Sequence, residues 1–222
     1  MIETLRSSIV SCTQCPRLRN HCQKIALVKR KSYRHETYWG KPVPGFGDPW
    51  ARLLIVGLAP GAHGANRTGR VVTGDRSGEW LYHALYKAGF SNQPQSVGIN
   101  DGLCLSDAYV TCIIKCAPPE NKPLPTEINH CQTHLIQELT ALKNVHVIVA
   151  LGEVAFKTIW TLLAPQQTIP KFCHGKQIFL NPKLCLIVSY HPSQQNTFTG
   201  KLTQPQFQSI FTAAKTQLSL FL

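Results

Sequence analysis

Only eleven Asp and Glu residues oppose twenty-three Lys and Arg, so an acid inside a motif is conspicuous. Asp75 stands in Thr73-Gly-Asp-Arg-Ser-Gly78, at a loop running into a helical pattern. A carboxylate there can orient water or stabilise a cation, although an Asp before a helix is also a common cap. His191 opens His191-Pro-Ser-Gln-Gln-Asn196, directly after a strand pattern. A single His is usually structural, but an imidazole at a strand tip of an α/β protein is well placed for hydrogen bonding or proton transfer. Asn121, in Pro118-Pro-Glu-Asn-Lys-Pro123, offers an amide acceptor and two donors, as reading a base edge requires. A turn residue in a Pro-rich loop is its plainer role. Glu120 and Glu153 are the other acids near strand ends.

The cysteines suggest a second chemistry. Nine is an odd count, and Met1-Ile-Glu-Thr-Leu-Arg6 lacks a signal-peptide profile, so a disulfide framework is not expected and the chain reads as cytoplasmic. Cys12-Thr-Gln-Cys15 is a C-x-x-C lying in a terminal arm, not in the βαβ setting of a thioredoxin motif. Cys116 follows a strand pattern, and Cys131 lies fourteen intervening residues later in a helix pattern. Four such thiolates suit tetrahedral zinc or a 4Fe–4S cluster, and the long second spacing favours the cluster. Cys22, beside His21, competes as a ligand, while Cys104, Cys112, Cys173 and Cys185 are expected to pack in the core.

Four short β-branched runs must position these groups: residues 52–58, 108–114, 145–151 and 185–190. Their nearly continuous apolar character is that of parallel strands buried on both faces. Helical stripes lie between and after them, over 78–88 with Ser77 as cap, from Thr126 onward, over 153–163, and from Pro205 onward. The alternation predicts an α/β fold, a parallel sheet with helices on both faces. Residues 1–222 read as a single domain with no internal repeat, in which 1–50 form a basic arm with one short helix, and 91–107 and 165–184 are loops or hairpins. Ligands bind outside the carboxyl ends of such strands, so the loops bearing Asn121 and His191 should meet the loop Gly57-Leu-Ala-Pro-Gly-Ala-His-Gly-Ala-Asn-Arg-Thr-Gly-Arg70. That loop lacks both the Gly-Lys-Ser/Thr end of a P-loop and a Gly-x-Gly-x-x-Gly, which disfavours a nucleotide cofactor. Its Gly61, Gly64 and Gly69 permit close backbone approach, and Asn66, Arg67 and Arg70 offer donors to a phosphate or base.

Charge points to the partner. The net charge is +12, no carboxylate separates Glu3 from Glu36, and none follows Glu153. Such a field attracts polyanions, nucleic acid first, and disfavours a nucleoside hydrolase acting on a small neutral substrate. No apolar run reaches the ~18–20 residues of a membrane span. A non-catalytic iron–sulfur or zinc nucleic-acid-binding module remains the alternative to an enzyme.

The long motifs Gly57–Arg70 with Thr73-Gly-Asp75, Lys115-Cys-Ala-Pro-Pro-Glu-Asn-Lys-Pro123, and His191-Pro-Ser-Gln-Gln-Asn-Thr-Phe-Thr-Gly-Lys-Leu-Thr203 resemble those of the family 5 (type B) uracil-DNA glycosylases. The resemblance runs from Cys12 to Thr203. It implies a three-layer αβα sandwich with a central four-stranded parallel sheet and an N-terminal iron–sulfur arm, its 4Fe–4S cluster held by Cys12, Cys15, Cys116 and Cys131. It implies excision of uracil and other deaminated bases from DNA by a monomer at the nucleoid. Asp75 and His191 would be catalytic, with Gly57, Ala59, Val72 and Asn121 around the flipped base. Asn66, Arg67, Arg70, Ser193, Gln194, Gln195 and Asn196 would contact DNA. Two positions bear on this reading. Leu58, Ala59 and Ala62 fill the stretch where related families carry a water-activating acid or amide, which shifts that duty to Asp75. Val72 stands where family members usually show a phenylalanine able to stack on the base.

Overall fold

Aliphatic and β-branched runs without polar alternation form the four central strands of a computed structural model that describes residues 2–221. They are β2 (Leu53–Gly57), β3 (Ala108–Cys112), β4 (Val147–Leu151) and β6 (Leu184–Ser189), and neighbours pair in parallel in the order β3-β2-β4-β6. Period-two alternation divides each strand between two cores. Leu53, Ile55, Val147, Val149 and Ile187 face α4 (Arg76–Ala88) and α8 (Gln204–Ser219). Leu54, Val56, Ile148, Ala150 and Val188 face α5 (Pro125–Ala141) and α6 (Glu153–Leu163). A sheet apolar on both faces has to be covered twice, and these helices supply the outer layers.

The sheet is nevertheless mixed and six-stranded, which corrects the expected four-stranded parallel sheet. β1 (Phe46–Gly47) adds antiparallel to β3 at one edge, and β5 (Gln177–Asn181) adds antiparallel to β6 at the other. Neither was read as a strand, although β5 falls in the 165–184 stretch expected to form loops or hairpins. β1 is two residues long, and β5 is an edge strand whose residues alternate between exposed and half-buried, so neither makes an apolar run.

The arm also holds more structure than one short helix. α1 (Ile2–Val10) and α2 (Pro16–Val28) bury Ile2, Ile9, Leu18 and Cys22, three of them in the α5–α6 core. Helix starts differ from the sequence reading too. The α4 cap is Asp75, not Ser77, because the Asp75 carboxylate reaches the Gly78 N–H at 3.0 Å. At α5 the Glu127 carboxylate turns back to the Leu124 N–H at 2.7 Å, so Thr126 lies inside the first turn. Two short helices, α3 (Ala65–Thr68) and α7 (Gln194–Phe198), sit in the loops after β2 and β6. Among the described residues, no helix is long and apolar enough to cross a membrane.

Candidate active site

Because β2, β3, β4 and β6 run parallel, their carboxyl ends share one edge of the sheet, and backbone hydrogen bonds continue past them. Ile113 and Ile114 donate to the carbonyls of Gly57 and Leu58 at 3.0 and 2.9 Å, laying the loop after β3 along the loop after β2. Gly152 donates to the Ser189 carbonyl at 2.8 Å, joining the tips of β4 and β6.

Asp75 is seated against the first of these loops. A Cβ at Gly61 would lie 2.7 Å from Asp75 Oδ2, and one at Gly64 would collide with the same oxygen. Those glycines make room for the carboxylate, where the sequence suggested room for a ligand. The other oxygen, Oδ1, caps α4 through Gly78. Burial pushes the Asp75 carboxyl upward, with Glu79 adding to the rise, while the Gly78 and Ser77 N–H groups and the Arg67 charge pull it down. The net shift is upward, so desolvation wins.

His191 follows β6, whose tip is separated from that of β2 by β4. Burial alone lowers its pKa to about 4, so its ring is neutral at physiological pH and has one N–H to donate. A Cβ at Gly152 would stand 3.5 Å from the His191 Cβ, so the β4 tip packs against this side chain. Asn196 and Ser193 are turned toward the loop itself. Asn196 Nδ2 donates to the His191 carbonyl at 2.8 Å, and the Ser193 hydroxyl accepts from the Asn196 N–H as the α7 cap. Gln194 and Gln195 are exposed.

Arg76 joins the two catalytic candidates and was not singled out from sequence. Its Nε lies 3.5 Å from the Thr197 hydroxyl, and its guanidinium sits 5.0 Å from the Phe198 ring, tying the residue after Asp75 to the loop of His191. The signal available was its place next to Asp75 in the sequence. Asn121 is exposed, with left-handed backbone at φ 57° following Glu120 at φ 53°. Its side chain makes no hydrogen bond among the described residues, leaving its amide open, and its loop reaches the others through Ile113 and Ile114.

Several expected contacts are corrected by burial. Asn66, expected at DNA, is fully buried, and its Nδ2 donates to the carbonyls of Cys22 and Ala62. Arg67 is 9% exposed and Arg70 4%. Arg67 bonds the carbonyls of His63 and Gly74 and pairs with Glu36. Arg70 pairs with Asp101 at 2.8 Å, also meets Ser96 at 3.0 Å, and stacks on Phe46. All three are spent on the scaffold. Gly57 is likewise a spacer, since a Cβ there would lie 3.2 Å from Cys112 Sγ. Ala59 is half-buried against the α5–α6 core. Val72 is buried with α4 and α8 and holds φ 48°, a left-handed backbone that costs a β-branched residue ~1–3 kcal/mol.

The cysteines divide as well. Cys12, Cys15, Cys116 and Cys131 line one small pocket between the arm and α5, together with Arg19, Lys115 and His134. Among the described residues, no group of three or more His, Cys, Asp or Glu is placed to share one metal ion. A single tetrahedral zinc would require sulfurs ~3.8 Å apart, from Zn–S bonds of ~2.3 Å, whereas a multi-iron cluster spans a wider set. Cys22, the competing ligand, lies beside this set, its thiol hydrogen-bonded to that of Cys116 and accepting from the Ala117 N–H at 3.2 Å. Cys112 and Cys185 are buried as expected, but Cys104 and Cys173 are exposed, which corrects their placement in the core. Behind the pocket, Lys115 Nζ and Glu138 form a buried ion pair at 2.6 Å, with Thr111 and the Cys112 carbonyl as further partners. Sequence gave no sign of that pairing across twenty-three positions.

Comparison with known proteins agrees in family throughout. The profile described as "Uracil DNA glycosylase superfamily" matches residues 44–215. A Mycobacterium bovis protein named type-5 uracil-DNA glycosylase is 46% identical over 213 residues, covering 95% of this chain and 80% of its own. The Thermus thermophilus protein of the same name is 43% identical, with 96% of each chain covered. One from Pyrobaculum aerophilum is 42% identical over 88% of this chain and 84% of that protein.

Proposed function

The chain belongs to the uracil DNA glycosylase superfamily and to its type-5 group, and from that premise we propose how it excises uracil as a DNA repair glycosylase. The observation that carries the reading is a carboxylate seated in a glycine cradle at the β2 loop and a neutral imidazole after β6 on the same edge of the sheet, with Arg76 linking the two loops. A base inside the duplex cannot be reached, so the nucleotide is flipped out, which favours weakly paired lesions. The glycosidic bond breaks with its electron pair going to the base, leaving positive charge on the sugar. His191, neutral, donates a hydrogen bond to the base oxygen where negative charge develops. In its ionised form Asp75 orients a water toward the sugar carbon. The water oxygen bonds to that carbon and its proton passes to the carboxylate, leaving an abasic site. The open amide of Asn121 supplies donors and an acceptor for the base edge.

Ser193 and Asn196 act by holding His191 in place, and Gln194 and Gln195 are the residues of that loop free to touch DNA. The proposed substrate range includes other deaminated bases, and the enzyme is proposed to work at the nucleoid as a monomer, since one copy carries every group invoked. Cys12, Cys15, Cys116 and Cys131 are proposed to hold a 4Fe–4S cluster. Their shared pocket and soft sulfur donors support that reading. Bound there, the cluster would pin the arm to the loop that carries Asn121.

The test is cleavage of oligonucleotides carrying uracil, hypoxanthine or xanthine, read out by alkaline scission at abasic sites. Asp75→Asn and His191→Ala should each be deficient on all of them. Wild-type rates in both variants would remove these two groups from the mechanism. A brown protein with broad visible absorption, lost in Cys116→Ser, is expected for the cluster, and a colourless zinc-loaded protein would overturn it.

A further inference from the structure

Arg67 was expected to face DNA, and its burial leaves a different task on display. Its Nε donates to the His63 carbonyl at 2.8 Å, inside the Gly61–Gly64 turn that walls the Asp75 carboxylate. Its Nη2 donates to the carbonyl of Gly74, the residue before Asp75, at 2.9 Å. A Cβ at Gly74 would lie 2.6 Å from that same Nη2, so a glycine at φ 81° is what lets the carbonyl come in. The guanidinium is itself held from outside, by the Glu36 carboxylate and by the Tyr33 ring 3.9 Å away.

We propose that Arg67 is a positioning residue for the reaction. Its guanidinium clamps the Gly61–Gly64 turn, which walls the Asp75 carboxylate, to the backbone at Gly74 that carries Asp75, and so fixes that carboxylate in its cradle. The inference rests on the reading of Asp75 as the group that handles the attacking water. Besides Arg67 on α3, the groups bearing on Asp75 are Glu79 on α4 and Cys112 at the end of β3. The Cys112 thiol, pushed up to about 12 chiefly by burial, is neutral, and Glu79 disfavours ionisation. Arg67 opposes both burial and Glu79, so it should hold the charge as well as the place of Asp75.

Two effects separate this from a merely structural arginine. In Arg67→Met the acidic limb of kcat/KM on a uracil oligonucleotide should move to higher pH. The rate at its plateau should fall about 10- to 100-fold, as expected for a misplaced catalytic group, with KM little changed. Arg67→Lys should restore the limb in part by returning the charge, but not the plateau, since an ammonium cannot span both carbonyls. Glu36→Gln and Tyr33→Leu loosen the anchor while keeping Arg67. They should lower the plateau rate in the same direction by less, and they carry the test if Arg67→Met does not fold. An unmoved limb in folded Arg67→Met, or an unchanged plateau in both anchor variants, with Asp75→Asn inactive, would overturn the clamp alone. Full activity in Asp75→Asn would overturn the reading of Asp75 and this inference with it.

Discussion

The loops after β2 and β6 both carry amides and other donors of the kind that touch DNA, yet they use them in opposite directions. After β2, Asn66, Arg67 and Arg70 turn inward and find Cys22, Gly74, Glu36 and Asp101. After β6, Ser193 and Asn196 are consumed locally in holding His191, and Gln194, Gln195 and Phe198 are left in solvent. The difference lies in what the fold places within reach. The β2 loop is covered by the arm and by the 97–103 segment, so its donors are desolvated and turn to protein acceptors. The β6 loop caps itself with a five-residue helix and has no such cover. Residue type alone therefore does not tell a scaffold donor from a substrate donor.

The largest expected effect tests the inward loop. Burial raises the Asp101 carboxyl, but the N–H groups of Leu103, Val97 and Gly98 and the Arg70 guanidinium outweigh it and bring it down to about 2. Removing one partner of such a buried pair costs ~3–5 kcal/mol. Arg70→Ala should lose that much in urea unfolding, while the folded fraction keeps its salt dependence of DNA binding. Unchanged stability with a shallower salt slope would make Arg70 a phosphate contact and erase the contrast between the loops.

The outward loop should answer in rate. Losing one donor to developing charge costs ~3–4 kcal/mol, so His191→Ala should fall about 100- to 1,000-fold in excision with its fold intact. Activity within tenfold of wild type would end its assigned role. A pH test follows from the same burial. The folded pKa of about 4 lies below the ordinary 6.5, so the unfolded chain takes up the proton first as pH falls. Stability from this group is full above pH 6.5 and is lost down through about pH 4, by at most ~3 kcal/mol. In urea titrations His191→Gln should lose less stability than wild type between pH 7 and 4.5. Parallel losses would show that the imidazole is not buried neutral.

What the sequence made legible follows the same division. The four central strands were readable because burial on both faces forces continuous apolar runs. The edge strands left no such trace, being short or half-exposed. In the site, Asp75 and His191 stood out through the scarcity of acids and a strand-tip position. The partners of Arg67 and Arg70 did not, since Glu36 and Asp101 each lie 31 residues away and only the folded chain brings them together. The cysteines were legible as a set by spacing, whereas the brace from Cys22 to Ala117 spans 95 positions.

Smaller effects sharpen the comparison. A hydrogen bond to a partner is worth ~0.5–1.5 kcal/mol net, so replacing both Gln194 and Gln195 by Ala should weaken duplex binding about tenfold. Thermal stability should stay put, because neither side chain is buried. A clear drop in Tm would mean that this loop, too, spends its amides on the scaffold.

Val72 lies where the two behaviours meet, between the β2 loop and Asp75, and it should respond least. Glycine there would release ~1–3 kcal/mol of left-handed strain and forfeit ~1.5–3 kcal/mol of side-chain burial. The two nearly cancel, so Val72→Gly should leave stability within ~1 kcal/mol of wild type and excision within about threefold. A folded Val72→Gly that loses far more in rate would place this side chain against the flipped base. The strained backbone at φ 48° would then serve substrate recognition, and the inward character of the β2 loop would stop at Val71.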